Sequence, residues 1–196
     1  MRRVKKESLG KHYSLAWNYI KESKNYILLI IVLFLWSCLI AFYFQPTVIV
    51  DLIQKFIEQL MEKTQGLGFK ELLFFILDNN FKSSFFGLFF GIFLGIFSII
   101  TTILNGYLIG FVLQRAIDIE GPLIILRLLP HGVFELPAVI LSLGLGVKLG
   151  FSIFSKEPWD KFVHNLKNSI AIFLLIVLPL LIIAAIIESA LIFLWA

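Results

Sequence analysis

The chain has 196 residues, of which 59% are hydrophobic and 21 are phenylalanine. A soluble domain has about half apolar residues, so this composition and a mean hydropathy of +0.94 exclude an ordinary soluble protein. The net charge of +4 lies largely in short basic stretches beside apolar runs, which favours contact with anionic lipid over nucleic acid. The single cysteine, Cys38, excludes an internal disulfide. We predict one all-α, polytopic domain in the cell membrane.

The first 80 residues predict an interfacial segment, one span and two amphipathic helices. Residues 1–25 are basic and amphipathic, which indicates a helix on the cytoplasmic membrane surface. Residues 26–44 are apolar and long enough to cross the membrane, and Gln45-Pro46 ends this span. Residues 47–80 alternate apolar and charged faces and are not apolar enough to span. We expect two outer helices there, either packed at the interface or capping a central site.

Residues 83–117 carry no charge before Arg115 and are too long for one upright span. As a helix they would reach about 52 Å, whereas the hydrocarbon core is about 30 Å thick. Either one long tilted helix projects from the membrane, or the run folds back on itself. Because no polar turn interrupts the run apart from Asn105-Gly106, we favour a mostly continuous helix.

Small residues recur along this run at steps of three or four, and such a stripe lets helices approach closely. We assign this face either to packing within the chain or to the contact of a homodimer. Its glycines are Gly87, Gly91, Gly95, Gly106 and Gly110.

Residues 121–150 form an apolar segment with ionisable side chains inside it. His131 and Glu135 are four residues apart and share one face if the segment is helical. We expect a broken segment, which leaves open whether it crosses the membrane or doubles back, and so whether the chain makes three or five full crossings. The residues predicted to break the helix are Pro130, Gly132 and Pro137.

Polar side chains at membrane depth need partners, so His131, Glu135 and Asn105 form a candidate buried polar site. The pair can lock neighbouring helices with Asn105, Arg115 or Arg127 as partner, which is the interpretation we favour. It can also relay protons, because histidine titrates near neutral pH, or supply two metal ligands without an evident third. The zinc-protease signature His-Glu-x-x-His is absent. We predict no catalytic residue, no metal and no other cofactor.

The distribution of charge predicts the topology. The basic stretch from Lys148 to Lys167 is typical of a cytoplasmic segment, whereas residues 45–82 have balanced charges and suit the outside. The last span covers residues 168–195 and contains Pro179, which kinks it. We therefore expect a cytoplasmic amino terminus and an outside carboxyl terminus.

The order of these motifs resembles the stage II sporulation protein M family, best over residues 80–150. The most specific part is the His-Gly-x-x-Glu element. The resemblance implies a multi-span scaffold that, in sporulating bacteria, gathers two peptidoglycan-degrading partners at the septum. The family reaches archaea, and the richness in Ile, Phe, Lys and Leu is compatible with a thermophile. The matching motifs are Asn105-Gly106 with Gly110, then Pro130-His131-Gly132 with Glu135 and Pro137, then Gly144, Gly146 and Gly150.

These observations favour a non-enzymatic integral membrane scaffold. Its expected partners are the lipid bilayer, further copies of itself as a homo-oligomer, most simply a dimer, and other membrane or cell-envelope proteins. The alternative is a channel-like or transporter-like conduit for an ion, proton or small solute, lined by His131 and Glu135.

Overall fold

The computed structural model describes residues 9–195, apart from the side chains of Leu9, Arg127, Leu128 and Trp195. The first eight residues of the predicted interfacial segment lie outside this part. Every regular element within residues 9–195 is helical. The helices are α1 (Leu9–Glu22), α2 (Lys24–Tyr43), α3 (Thr47–Thr64), α4 (Phe69–Phe89), α5 (Ile96–Glu120), α6 (Ile125–Gly150), α7 (Pro158–Ile172) and α8 (Leu178–Trp195). They are joined in part by 3₁₀ turns at Phe90–Ile92, Pro122–Ile124 and Phe151–Phe154 and by a π-helical turn at Phe173–Val177.

Among the described residues, four helical stretches are long and apolar enough to cross a membrane. The predicted all-α, polytopic membrane fold is confirmed. The amphipathic α1 and α3 lie outside these stretches, and α3 has no buried residue. α4 is not among the four. The prediction of a second outer helix within residues 47–80 is wrong, because residues 69–80 form the first part of α4, where Leu72 and Ile76 are buried against Ala185 of α8. The four stretches are Lys24–Tyr43, Ile96–Glu120, Leu129–Phe154 and Pro158–Leu194.

α2 and α5 run in parallel and pack closely along their length. The Ser37 hydroxyl donates a hydrogen bond to the Ile103 carbonyl at 2.6 Å. Further along both helices, the Gln45 amide donates to the Gln114 side chain at 3.1 Å. The residue numbers of the contacts therefore increase in the same direction along both helices, as expected for parallel helices.

α4 and α8 run antiparallel to each other. The ring of Phe69 lies 6.1 Å from that of Phe193, whereas Phe81, later in α4, lies 5.5 Å from Phe173, in the π-helical turn that precedes α8. α6 lies beside α4 and runs in the same direction. We call the end of the bundle beside α3 the α3 end, and the opposite end, where Lys148 lies, the Lys148 end.

The predicted continuous helix over residues 83–117 is wrong, because the chain folds back between α4 and α5. Ser98 donates a hydrogen bond to the Gly87 carbonyl at 2.7 Å across the turn. The turn carries no polar residue because it packs against α6, where a Cβ on Gly91 would lie 2.6 Å from the Gly146 carbonyl carbon. Gly95 has a φ of +72°, a conformation that favours glycine. The two glycines of the turn are buried against α6, whereas Phe90, Phe93 and Leu94 are exposed apolar residues, so the turn has no polar signature in the sequence.

The predicted break in residues 121–150 is also wrong, because α6 continues from Ile125 to Gly150 through both prolines. Each proline removes one backbone donor. Pro130 and Pro137 both lie on the exposed side of α6, so their rings do not enter the packed interface. Gly132 faces open space, since a Cβ there would meet no atom within 4 Å. The re-entrant hairpin is therefore excluded.

The predicted glycine face lies between helices of the same chain. A Cβ on Gly106 would lie 2.6 Å from the Phe34 carbonyl oxygen, and one on Gly110 would lie 2.8 Å from the Cys38 carbonyl carbon. Both contacts join α5 to α2 and leave no room for a larger side chain. Gly87, Gly91 and Gly95 face α6 in the same way.

Candidate functional site

The structure brings His131 and Glu135 of α6 together with Glu188 of α8. One potential ligand atom from each side chain lies within 4.8 Å of the other two. All three residues are half-buried. We call these three residues the His131 cluster. The predicted pair therefore exists on one helix face, and it gains a third member from a helix much later in the chain.

Glu188 is not among the residues that the sequence analysis assigned to the polar site. It is the only charged residue after Lys167 in a long apolar run, and such a residue at membrane depth is a functional suspect. That signal could have found it. The sequence could not say which helix α8 would face.

A cavity of about 800 Å³ opens beside the cluster at the α3 end. Glu135 and Glu188 both line it, so the two carboxylates adjoin open space as well as each other. Asn105, a predicted member of the polar site, also lines the cavity. The polar lining is completed by Glu58, Glu62, Thr64, Gln65, Asn79 and Asn80.

Two of the three predicted locking partners, Asn105 and Arg115, do not bind the His–Glu pair. The Asn105 amide donates to the Thr101 carbonyl at 2.8 Å, and the Arg115 guanidinium lies 5.4 Å above the Phe111 ring. The side chain of Arg127, the third predicted partner, lies outside the described part. The structure therefore gives no support to locking through Asn105 or Arg115.

The His131 cluster has unused hydrogen-bonding capacity. The Nδ1 atom of His131 is buried and has no hydrogen-bond partner. Among the side chains that the structure describes, no hydrogen bond or ion pair reaches the carboxylate of Glu135 or Glu188. Two carboxylates this close repel each other when both are charged. The arrangement therefore suits a shared proton or a bound cation.

A second polar cluster lies at the Lys148 end. The Lys148 ammonium donates to the Ser23 hydroxyl at 2.9 Å and lies 3.5 Å from the centre of the Tyr19 ring. The Tyr19 hydroxyl donates to the Asn165 side-chain oxygen at 2.9 Å. The Asn165 amide donates to Ser152 at 2.8 Å. We call these five residues the Lys148 cluster; it joins α1, α2, α6 and α7.

Burial raises the pKa of the Tyr19 hydroxyl, and the neighbouring charge of Glu22 raises it further. The hydroxyl therefore stays protonated and remains a donor to Asn165. Lys148 was treated in the sequence only as part of a basic cytoplasmic stretch. Its position after a long apolar run is the signal that could have identified a buried partner network.

Comparison with known families decides the family of this chain. The family model for stage II sporulation protein M matches residues 26–191, which is most of the chain. The chain belongs to this family. No curated protein and no solved structure matches it. The resemblance predicted from the His-Gly-x-x-Glu element is confirmed, and family membership together with the four candidate spans identifies a multi-pass membrane protein.

Proposed function

We propose that this member of the stage II sporulation protein M family is a non-enzymatic membrane scaffold. One observation carries the proposal: from Ala138 to Gly150 every residue of α6 except Ile140 is buried. α2, α4 and α5 pack around this half of α6. A densely packed half-bundle suits a rigid body that holds other proteins.

The same packing argues against a passage across the bundle. The cavity at the α3 end extends as far as Asn80, Asn105 and Glu135. Beyond it, a Cβ on Gly146 would lie 2.8 Å from the Gly87 carbonyl oxygen, so α4 and α6 touch through their backbones. Opening a path there requires the helices to separate, because packed interiors deform little.

A scaffold needs surfaces for its partners, and α3 offers one. This helix has no buried residue, and Val48, Leu52 and Phe56 are 69%, 63% and 44% exposed. An apolar face at the membrane interface suits either lipid or a partner protein with an apolar groove. Other membrane or cell-envelope proteins, or further copies of the chain, are the partners we propose.

Flux measurements test the scaffold proposal. Purified protein is placed in liposomes, and proton and potassium flux is recorded for the wild type and for His131→Ala. If the protein is a scaffold, we expect liposomes with the wild type and liposomes with His131→Ala to show the same flux as liposomes without protein. Protein-dependent flux that falls in His131→Ala or Glu135→Gln contradicts the proposal.

Self-association needs a surface other than the glycine face, because those glycines pack inside the chain. A photoreactive amino acid at Leu35 of α2, which is 54% exposed, samples the outer surface of the bundle. The same probe at Ile30, which is 0% exposed, is the matched control. The scaffold is supported if the probe at position 35 forms adducts with a second copy or with another membrane protein and the probe at position 30 does not. Absence of adducts at Leu35 and at Ile183 of α8 contradicts a homo-oligomer.

The second candidate is a conduit for an ion, proton or small solute. The observation that favours it is the cavity lined by Glu135 and Glu188. The liposome experiment separates the two candidates, because a conduit requires flux that depends on these carboxylates.

We also propose that the Lys148 end is cytoplasmic and the α3 end is outside. Lysines dominate the first end, whereas α3 carries Asp51, Glu58 and Glu62 beside its lysines. Single cysteines in a Cys38→Ser background test this orientation. An impermeant thiol reagent applied outside the cell should label Gln65→Cys and leave Lys156→Cys unlabelled; the reverse pattern contradicts it.

A further inference from the structure

We propose that His131, Glu135 and Glu188 bind a first-row divalent cation such as Zn²⁺ or Mn²⁺. The inference goes beyond the scaffold function and does not depend on it. One nitrogen and two oxygen ligand atoms lie within 4.8 Å of one another. In a tetrahedral site with ligands about 2.0 Å from zinc, neighbouring ligand atoms are about 3.3 Å apart. Small rotations of the three side chains can shorten the distances between their ligand atoms to this value.

The backbone places the ligands without a break in either helix. His131 and Glu135 are one turn apart on α6, so their side chains point to the same side. α8 packs against α6 and presents Glu188 from across the interface. Ligands on two packed helices hold their relative positions better than ligands on loops.

The charge of the site fits a divalent cation. Two carboxylates carry a charge of about −2 when ionised, and the described side chains supply no cation that pairs with either of them. A bound divalent ion neutralises both and removes their repulsion. Metal-binding histidines coordinate through a neutral ring nitrogen.

A second observation, on the hydrogen bonding of the His131 ring, also indicates that the site binds a ligand. The Nδ1 atom of His131 is buried and makes no hydrogen bond. A buried nitrogen without a partner is uncommon and destabilises the folded protein when left unsatisfied. Coordination of a cation by Nδ1 gives this buried nitrogen a partner.

The cavity provides access and room for further ligands. Glu135 and Glu188 line it, and Glu58 and Glu62 on α3 add negative charge towards its opening. Acidic residues along an opening raise the local concentration of cations. Three protein ligands leave at least one coordination position, which water from the cavity can fill.

The ligand set restricts the metal. A histidine nitrogen with two carboxylate oxygens suits zinc, manganese or ferrous iron, whereas an all-oxygen set is typical of magnesium and calcium. The lone Cys38 lies on α2 and packs against Gly110, away from the cluster, so a thiolate-rich copper site is excluded for the described residues. We therefore expect Zn²⁺ and Mn²⁺ to bind and Mg²⁺ to bind much more weakly.

Titration calorimetry tests the site. Full-length, tag-free protein in detergent is stripped with a chelator and titrated separately with Zn²⁺, Mn²⁺ and Mg²⁺. We expect one Zn²⁺ per chain and an affinity at least about 100-fold lower in Glu188→Gln and in His131→Ala. The matched control is Glu157→Gln, which changes an exposed carboxylate outside this cavity and should retain wild-type affinity.

A Co²⁺ spectrum reports directly on the ligands of the bound ion. Co²⁺ bound to the wild type should give the visible absorption bands of an ion with a nitrogen ligand. In His131→Ala these bands should be lost or shifted, and the affinity for Zn²⁺ should fall. Glu188→Gln preserves side-chain volume, and its elution in size-exclusion chromatography verifies the fold. The proposal is overturned if neither Zn²⁺ nor Mn²⁺ shows saturable binding to the wild type, or if folded Glu188→Gln binds with the affinity of the wild type. In that case the two carboxylates share protons instead.

Discussion

The two polar clusters of this protein differ in how completely their groups are bonded. At the Lys148 end, an ammonium, two serine hydroxyls, a phenol and an amide bond to one another among buried helices. At the α3 end, two carboxylates and an imidazole lie close together, and no hydrogen bond among them or to another described side chain is formed. A satisfied network stabilises a fold, whereas an unsatisfied one is available for a ligand.

The surroundings explain the difference. The Lys148 cluster connects α1, α2, α6 and α7 where α6 is fully buried, so an unpaired group there would be costly. Glu135 and Glu188 of the His131 cluster line a cavity, and their carboxylates tolerate the lack of protein partners because water from the cavity can reach them. Substitutions in the first cluster should therefore reduce stability, and substitutions in the second should not.

The largest effect is expected for Lys148→Ala. The substitution removes the donor to Ser23 and the cation over the Tyr19 ring, and it leaves a void beside α1. We expect a loss of about 3–4 kcal/mol in the free energy of unfolding, measured by denaturant titration in detergent. Lys148→Met is the control, because it fills the space of the aliphatic stem and should lose less. Equal stability of Lys148→Ala and the wild type would contradict a structural role for the cluster.

Asn165→Leu should have the next largest effect. It removes the acceptor of the Tyr19 hydroxyl and the donor to Ser152, so two buried hydroxyls lose a partner. The expected loss is about 2 kcal/mol, measured in the same way. Asn168→Leu on the same helix removes only an exposed hydrogen-bond donor and should change stability by less than about 0.5 kcal/mol. Similar losses in both variants would refute the assignment.

Tyr19→Phe should have a smaller effect, of about 1 kcal/mol at neutral pH, because only one hydroxyl is lost. Because the pKa of Tyr19 is raised in the folded protein, its contribution is present below the ordinary pKa of tyrosine, 10.0, and is lost as the pH rises above it. Thermal unfolding midpoints measured from pH 8 to about 11 should therefore fall less steeply in Tyr19→Phe. Tyr13→Phe, which changes an exposed ring, should keep the wild-type slope.

The smallest effect is expected for Glu188→Gln in the metal-free protein. The amide removes the repulsion between two carboxylates without breaking a hydrogen bond in the described part. Stability should stay constant or rise by up to about 1 kcal/mol. A loss as large as that of Asn165→Leu would mean that Glu188 has a stabilising partner, and the contrast between the two ends would fail.

Local features of the fold were predictable from the sequence, and features that depend on helix pairing were not. Periodicity and apolar length gave the first span and placed His131 and Glu135 on one face, because both are properties of one helix. Glu188 joins them through the packing of α8 on α6, which no local pattern encodes. The turn before Gly95 was missed because its glycines pack against α6 and its exposed residues are apolar, so no polar residue marks it.

The prolines of α6 illustrate the same limit. Pro130 and Pro137 predict a break because each removes a backbone hydrogen bond. Both lie on the outer side of α6, and the tight packing of the following residues keeps the helix continuous. Sequence position alone does not reveal on which side of a helix a proline falls relative to its neighbours.

The wide turn at Phe173–Val177 has a consequence for the rest of the last span. A π-helical turn holds one more residue than an α-helical turn, and one residue corresponds to a rotation of about 100° about the axis. The direction in which Glu188 points around the helix axis is therefore set by this turn, well before the residue itself. Deleting a single residue from this turn would bring Glu188 to the position that Ile187 now occupies, about 100° around the axis and away from His131 and Glu135, although every side chain of α8 would be unchanged.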